Sequence, residues 1–288
     1  MTTAQDVRAL LRGDHVIHAP GVINALTALV AAEEGAQVLY LSGAVTSAVE
    51  LGRPDMGFVH GEHIAALAAR ITARVSDLPL VADADTGYGN ALQVAATVER
   101  YAAAGVAGLH LEDQVSPKRC GHMAGKAVID ISEASAKVRA AVDASAGAVV
   151  VIARTDARSV EGDEAAVKRA VSYADAGADA LFVEGADAAL LERVHSELPE
   201  IPLLHNRSEA GGDVSADGLG DDALRELGVR LVIHPVSALL AAARAVRATY
   251  AAIARDGHAG AVDRAPWVAL TDVLGLLALL EDEQRYAT

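Results

Sequence analysis

Short runs of branched apolar residues alternate with longer stretches of 3.6-residue periodicity from one end of the chain to the other. Apolar runs without polar alternation suit strands buried on both faces. Eight are predicted, at His15–His18, Gln37–Leu41, Leu80–Ala84, Gly108–Glu112, Val149–Arg154, Ala180–Glu184, Pro202–Asn206 and Leu231–His234. The periodic stretches predict helices at Val22–Glu34, His63–Ala73, Leu92–Ala104, Ser132–Ala144, Gly162–Ala176, Asp187–Leu198 and Asp221–Leu227. Several close on one punctuation: Glu34-Gly35-Ala36, Ala104-Gly105-Val106, Ala176-Gly177-Ala178 and Leu227-Gly228-Val229. Glycine just past a helix end is the usual left-handed cap, and a buried run follows each time. Repeated βα units without a composition break or linker predict a single (β/α)8 barrel over residues 1–288. A doubly wound open sheet is the structural alternative.

Residues 238–288 form a helical extension on this reading: one long helix to about Asp256, a segment Gly257–Trp267, then a helix near Val268–Glu283. That last stretch is apolar nearly all round (Val268, Leu270, Val273, Leu274, Leu276, Leu277, Leu279, Leu280). Such a helix must be covered, and with the barrel already complete a subunit interface is expected.

Composition narrows the class. Hydrophobic residues make up 52% of the 288 positions but aromatics only 3%, so the core is built from Ala, Val, Leu and Ile. The formal charge of −15, from 39 acidic and 24 basic residues, argues against a nucleic-acid or anionic-membrane partner, since both need basic patches. A cleft can still take a small anionic substrate. One cysteine excludes an internal disulfide. No apolar run approaches the ~18 residues of a bilayer span, and a cytoplasmic protein is expected.

Catalytic groups of such barrels gather at the C-terminal strand ends. Here those ends read Tyr40-Leu41-Ser42-Gly43, Asp83-Ala84-Asp85, Glu112-Asp113, Arg154-Thr155-Asp156, Glu184, Asn206-Arg207-Ser208-Glu209 and His234-Pro235. Asp83 and Asp85, two apart on a strand, are expected to point the same way, and Glu112 from the next strand joins them. A hard divalent cation relieves the repulsion of converging carboxylates; all-oxygen ligation favours Mg²⁺, with Mn²⁺ a possible substitute. Gly87 and Gly89 belong to no Walker loop, having no Lys-Ser/Thr pair after them; a flexible connection over a metal site is expected. Ser42-Gly43 either grips a substrate carboxylate or forms a tight turn. Arg154 either makes a bidentate carboxylate contact or partners one of the acids. Glu184 and Asn206 either orient substrate or satisfy neighbours. His110, His205 and His234 read as core histidines.

The sole cysteine, Cys120, follows Lys118-Arg119 and precedes Gly121-His122. Cationic neighbours lower a thiol pKa from its reference of about 8.5, which marks this loop, with the Glu112-Asp113 carboxylate pair upstream, as a candidate active-site segment.

Together, Tyr40-Leu41-Ser42-Gly43, Leu51-Gly52-Arg53-Pro54-Asp55, Asp83-Ala84-Asp85-Thr86-Gly87, Leu109-His110-Leu111-Glu112-Asp113-Gln114, Lys118-Arg119-Cys120-Gly121-His122 and Ala153-Arg154-Thr155-Asp156 resemble the isocitrate lyase/phosphoenolpyruvate mutase superfamily, and within it the methylisocitrate lyase branch. The resemblance runs from about residue 15 to 240. It implies a (β/α)8 barrel and Mg²⁺ held by Asp85, with Asp55, Asp83 and Glu112 nearby or through water. It also implies a gating loop carrying Cys120, and a dimer of dimers whose subunits exchange the last barrel helix. A small carboxylate substrate would meet Tyr40, Ser42, Gly43, Ala44, Arg119, Gly121, Arg154, Glu184, Asn206 and Ser208. Cys120, Lys118, His122 and Arg154 would be the catalytic set, with Cys120 protonating a carbanion released by carbon–carbon cleavage of a 2-hydroxy acid.

Two departures bear on the substrate. The branch usually reads Asn-x-Thr-Glu-Phe-Gly after the seventh strand, where this chain has Asn206-Arg207-Ser208-Glu209-Ala210-Gly211. It also tends to carry Gln-Thr-Arg before the final helices, where this chain has Arg264-Ala265-Pro266-Trp267. Losing an arginine counts against a tricarboxylate, and a 2-alkylmalate becomes a candidate beside methylisocitrate. The resemblance leaves open an oxaloacetate acetylhydrolase-like or carboxyphosphonoenolpyruvate mutase-like enzyme, and a non-catalytic barrel paralogue.

Overall fold

The structure, a computed structural model, describes residues 4–121, 123–209 and 219–287. Its elements in chain order are α1 (Ala4–Leu11), β1 (Ile17–Pro20), α2 (Ala25–Glu33), β2 (Leu39–Leu41), α3 (Gly43–Leu51), α4 (Gly61–Thr72), β3 (Leu80–Asp83), α5 (Ala91–Ala103) and β4 (Gly108–Glu112). There follow α6 (Ile131–Ser145), β5 (Val150–Thr155), α7 (Arg158–Glu161), α8 (Asp163–Asp175), β6 (Ala180–Val183), α9 (Ala188–Glu197) and β7 (Leu203–Asn206). The chain ends with α10 (Asp221–Glu226), β8 (Val229–His234), α11 (Ser237–Asp256), α12 (Trp267–Val273) and α13 (Leu276–Tyr286).

All eight strands are parallel, in the order β1-β8-β7-β6-β5-β4-β3-β2. The Gly21↔Tyr40 bridge joins the two ends of that order, with Val22 N donating to Tyr40 O at 2.9 Å, so the sheet closes into a barrel. The open-sheet alternative is set aside. Side-chain alternation along each strand divides the core. Ile17, Ala19, Tyr40, Val81, Ile152, Phe182, Leu204 and Ile233 fill the barrel, and Leu39, Leu80, Leu109, Val151, Leu181 and Val232 meet the surrounding helices.

The glycine punctuation does what its position predicts: Gly35, Gly105, Gly177 and Gly228 all have positive φ, from 80° to 96°. Three helices fall outside the predicted set. Helix α1 sends Ala4, Val7 and Leu11 into the barrel-filling cluster, and Arg8 ties it to Asp179 at 2.8 Å and to Gly147 O and Val149 O ahead of β5. Helix α3 begins at the Ser42-Gly43 pair, and α7 is a single turn. β1 starts two residues later than the pattern predicts, because pairing Ile17 with Leu231 puts Ile17 and Ala19 inside.

The predicted C-terminal helix is two helices, broken where Gly275 takes φ 78°. Neither α12 nor α13 contains a buried residue, and α11 contains only Ala252. Trp267 is 76% exposed and Leu277 67%. Among the described residues no helix is long and apolar enough to cross a membrane.

Candidate active site

A cleft opens at the C-terminal end of the barrel, lined by Tyr40, Ser42, Ala44, Asp55, Asp83, Lys118, Cys120, Gly121, Arg154, Glu184, Asn206 and Ser208. Each of these twelve stands among the candidates drawn from the sequence. Ile233, Pro235 and Val236 complete the wall; apolar residues at a strand end carry no chemical signature by which to pick them out.

Helix α3 starts inside the cleft. Ser42 is its N-cap, accepting from Val45 N at 3.5 Å, and Gly43 N donates to Asp83 Oδ2 at 3.1 Å. The pair is therefore a helix start whose first amide holds an acid of this chain. A Cβ on Gly43 would stand 2.9 Å from Asp83 Oδ2 and 3.1 Å from Asp85 Oδ1, so only glycine lets the helix approach both carboxylates.

Asp83 closes β3, but Asp85 lies beyond the strand with φ 44°. The two carboxylates share one neighbourhood through this turn rather than through strand alternation. Asp85 N donates to Asp83 Oδ1 at 3.0 Å. The glycine-bearing stretch after them is packed rather than an open cover. A Cβ on Gly87 would stand 2.4 Å from Val94 Cγ2, and Tyr88 shares a hydroxyl contact with Tyr101, which donates to Asp83 O.

The expected convergence of carboxylates is only partly present. Lys118 Nζ lies 2.6 Å from Asp55 Oδ1 and 2.8 Å from Asp85 Oδ1, while Glu112 faces Arg154 Nε at 3.3 Å. Among the described residues no three His, Cys, Asp or Glu groups close on one point in metal-binding geometry. Clustered carboxylates repel unless neutralised, and here an ammonium and a guanidinium supply the charge. Burial opposes ionisation of Asp83, but His110, Lys118 and Arg154 outweigh it and hold its carboxyl below the usual range. Burial and the neighbouring Asp83 push Asp85 up, and burial raises Glu112. Burial would lower Lys118, yet Asp85, Asp83, Glu112 and Asp55 raise it overall.

This donor set fits a hard divalent cation. It is all oxygen, Asp83, Asp85 and Glu112 are buried, burial and the neighbouring Asp83 push Asp85 toward protonation, and Glu112 Oε1 has no hydrogen-bond partner among the described residues.

The Glu112-Asp113 pair splits, because consecutive strand residues face opposite sides. Asp113 turns outward and accepts from Thr155 Oγ1 (2.7 Å), Tyr173 OH (2.7 Å), Asp156 N (2.9 Å) and Arg169 Nη1 (3.2 Å). Asp156 in turn accepts from Arg154 Nε at 2.9 Å and Nη2 at 3.2 Å. Arg154 is thus a buried partner of acids, with Glu184 at 3.6 Å, and it lies over the Phe182 ring. Glu184 also accepts from Asn206 Nδ2 at 3.4 Å, while Asn206 Oδ1 is buried without a partner among the described residues. His110 is fully buried, 2.7 Å from Tyr40 OH, and burial lowers it to about 4.

The Cys120 loop folds over this arrangement. Cys120 is half-buried and its N donates to Asp55 O at 3.2 Å. A Cβ on Gly121 would stand 2.7 Å from Glu184 Cδ and 2.8 Å from Arg154 Nη2. Lys126, absent from the sequence candidates, pins the loop by donating to Gly121 O (2.7 Å) and Asp156 Oδ1 (2.8 Å). Arg119 is not in the cleft: its guanidinium donates to Ala124 O at 3.2 Å. Lys118, Cys120 and Gly121 of this loop line the cleft, and Arg119 does not. His122, like Ala210 and Gly211, lies outside the described residues.

A family profile of phosphoenolpyruvate phosphomutase matches residues 7–254. The chain belongs to the phosphoenolpyruvate mutase/isocitrate lyase superfamily. It is 36% identical over 292 residues to 2,3-dimethylmalate lyase of Eubacterium barkeri, covering 100% of this chain and 99% of that one. It is 41% identical over 255 residues to 2-methylisocitrate lyase of Salmonella typhimurium, covering 88% and 85%. Among solved structures, oxaloacetate acetylhydrolase with 3,3-difluorooxalacetate superposes with TM-score 0.89 at 36% identity, covering 98% and 96%. Phosphonopyruvate hydrolase, solved with oxalate and Mg²⁺, superposes at 0.86 with 30% identity, covering 100% of both chains. Membership of this superfamily makes the chain an enzyme, and its curated relatives at this level are carbon–carbon lyases.

Proposed function

We propose that this enzyme cleaves a carbon–carbon bond of a 2-hydroxy dicarboxylate of the 2-alkylmalate type, with Mg²⁺ as the divalent cation, to a 2-oxo acid and a carboxylic acid. The carrying observation is that one cleft is lined by Cys120, by the acids Asp55 and Asp83, and by Arg154, Glu184 and Asn206. Asp85, Asp83, Asp55 and Glu112 would hold the cation. When bound, it acidifies the substrate hydroxyl and neutralises the carboxylate beside it.

The hydroxyl proton passes to solvent, the C–O bond becomes a carbonyl, and the electrons of the adjacent C–C bond pass to the departing fragment as an enolate-like carbanion. Cys120 supplies the proton to that carbon as general acid, and the thiol is restored by a proton from solvent. Arg154, fixed by Asp156, stabilises the growing negative charge, and the loop pinned by Lys126 keeps water out while the carbanion exists.

The charge inventory favours a dicarboxylate over a tricarboxylate. Lys118 and Arg154 already face acids, Arg119 points away, and Arg207 donates to Leu219 O. Identity to 2-methylisocitrate lyase supports methylisocitrate as the second reading. The deciding assay offers 2,3-dimethylmalate, methylisocitrate, isocitrate and oxaloacetate with Mg²⁺. Pyruvate plus propionate from dimethylmalate, abolished by EDTA and strongly reduced in Cys120→Ser, is the expected result. Pyruvate plus succinate would shift the substrate to methylisocitrate, and acetate plus oxalate from oxaloacetate would move the enzyme to hydrolysis. Binding of Mn²⁺ without product from any of the four would refute a lyase.

We also propose that copies of this chain associate through α11–α13, whose apolar residues Trp267, Leu277 and Leu279 are exposed among the described residues. An oligomer large enough to bury that face is expected in solution, and a cytoplasmic setting accords with a chain of one cysteine.

A further inference from the structure

On the outer face of the barrel, where β8 meets β1, four ionisable side chains form one unbroken series that the proposed chemistry does not use. Asp221, the first residue of α10, lies 3.1 Å from His18 Nε2. His18 Nδ1 lies 3.0 Å from His234 Nε2, and His234 Nδ1 lies 2.8 Å from Glu209 Oε1. The second oxygen of Glu209 accepts from Ser237 Oγ at the start of α11. Among the described residues, the neighbouring elements contribute the following ionisable groups. Strand β7 places His205 on the same outer face, Arg207 is turned to Leu219 O, and Asp222 and Arg225 of α10 pair with each other at 3.6 Å.

The three contacts set a proton requirement for this series. Three contacts, carboxylate to ring, ring to ring and ring to carboxylate, each need one hydrogen. Two neutral imidazoles carry only two. With all three contacts hydrogen-bonded and both carboxylates ionised, the series requires one proton beyond two neutral rings, a single imidazolium charge shared between them.

The position of the series gives that charge a consequence. Glu209 directly follows Ser208, and Asn206 lies three residues before it; both line the cleft. His234 directly precedes Pro235 and Val236, which also line the cleft, beyond the neighbouring strand β8. The series thus ties two segments of the cleft wall to each other and to β1.

We infer that the singly charged His18–His234 pair is a positioning relay, clamping the Asn206–Glu209 segment to the β8–α11 turn and so setting the affinity of the cleft for its carboxylate substrate. This rests on the proposed reading for its kinetic consequence but not for its proton count. Loss of the extra proton leaves one contact with two acceptors and no hydrogen, and the clamp loosens. Substrate KM is low on the acid side of the relay's titration and rises on the basic side.

Two measurements on the full-length enzyme test it. In ¹⁵N-histidine NMR spectra assigned with His18→Asn and His234→Gln, the two rings together carry three N–H protons near pH 6 and lose one as pH rises. Two N–H protons at every pH from 6 to 9 would overturn the relay. In the dimethylmalate assay with Mg²⁺, His234→Gln raises KM ~10-fold with kcat nearly unchanged and removes the basic-side rise. Glu209→Gln keeps both hydrogen bonds, its amide oxygen accepting from His234 and its amide donating to Ser237, but deletes a charge that stabilises the imidazolium. Its KM rise therefore begins at lower pH than in the wild type. Variants that lower the melting temperature while keeping the wild-type KM–pH curve would reduce the series to a structural tie and refute the relay. If no substrate turns over, the lyase reading falls and the NMR proton count still decides the relay.

Discussion

Asp113→Ala tests how the site is held from behind. The Asp113 carboxylate is buried and accepts four donors: Thr155 Oγ1, Tyr173 OH, Asp156 N and Arg169 Nη1. Truncation leaves the Asp156 amide unsatisfied and removes a carboxylate from Arg169, which keeps Glu161 at 3.1 Å. Removing one partner of a buried ion pair costs about 3–5 kcal/mol. At about 2–4 °C per kcal/mol for chains approaching this size, the melting temperature falls by roughly 10 °C. Asp113→Asn keeps one acceptor oxygen and the side-chain shape, and the loss shrinks to about 1–3 kcal/mol.

The change also propagates toward the cleft. Asp156 is positioned through its own amide by Asp113 and in turn orients Arg154 by two hydrogen bonds. A displacement of about 1 Å in Arg154 is enough for a ~100-fold loss of kcat/KM. Differential scanning calorimetry and steady-state kinetics on wild type, Asp113→Asn and Asp113→Ala measure the two effects. A melting shift under about 3 °C for the alanine variant, against the roughly 10 °C expected, would refute the energetic argument. Unchanged kinetics in a folded variant would refute the link from Asp113 to Arg154.

Lys118→Met removes the ammonium that competes for Asp55 and Asp85; Mn²⁺ is expected to bind more tightly by electron paramagnetic resonance titration, while turnover drops. Gly121→Ala places a methyl against Glu184 and Arg154, so kcat falls at least ~10-fold with the melting temperature nearly unchanged, because the damage is to loop placement over the cleft. Cys120→Ser keeps the shape of the residue but weakens the general acid, and a loss of ~10²–10⁴ in kcat is expected, with Mn²⁺ affinity preserved. Leu277→Glu puts charge on the uncovered face of α13 and is expected to lower the oligomer mass by light scattering; an unchanged mass would place the interface elsewhere.

The barrel was legible in the sequence because its signals are local. A buried parallel strand is a run of branched residues, a helix is a period, and the glycine that ends it needs a positive φ wherever it occurs. The positions of most candidate site residues followed from one further rule, that polar groups at C-terminal strand ends share a mouth. What failed to read out were features with no local signature. Helix α1 looks like any short amphipathic segment until the barrel floor is there to receive Val7 and Leu11. The break at Gly275 hides inside an unbroken apolar stretch.

Side-chain allegiance is likewise decided in three dimensions. Asp113 and Glu112 are adjacent acids in sequence, yet strand alternation sends one to the helices and the other to the cleft. Lys118, Arg119 and Cys120 read as one basic loop, yet Arg119 turns to Ala124 while Lys118 reaches Asp55 and Asp85. Lys126 and the His18–His234 pair gain meaning only from partners 30 and 216 residues distant from Lys126 and His18 along the chain. Residue type and spacing determine which groups are available at a strand end. Which opposite charge each of them meets is set by closure of the barrel, because only closure brings β1 beside β8 and folds the Cys120 loop across the acids of β3.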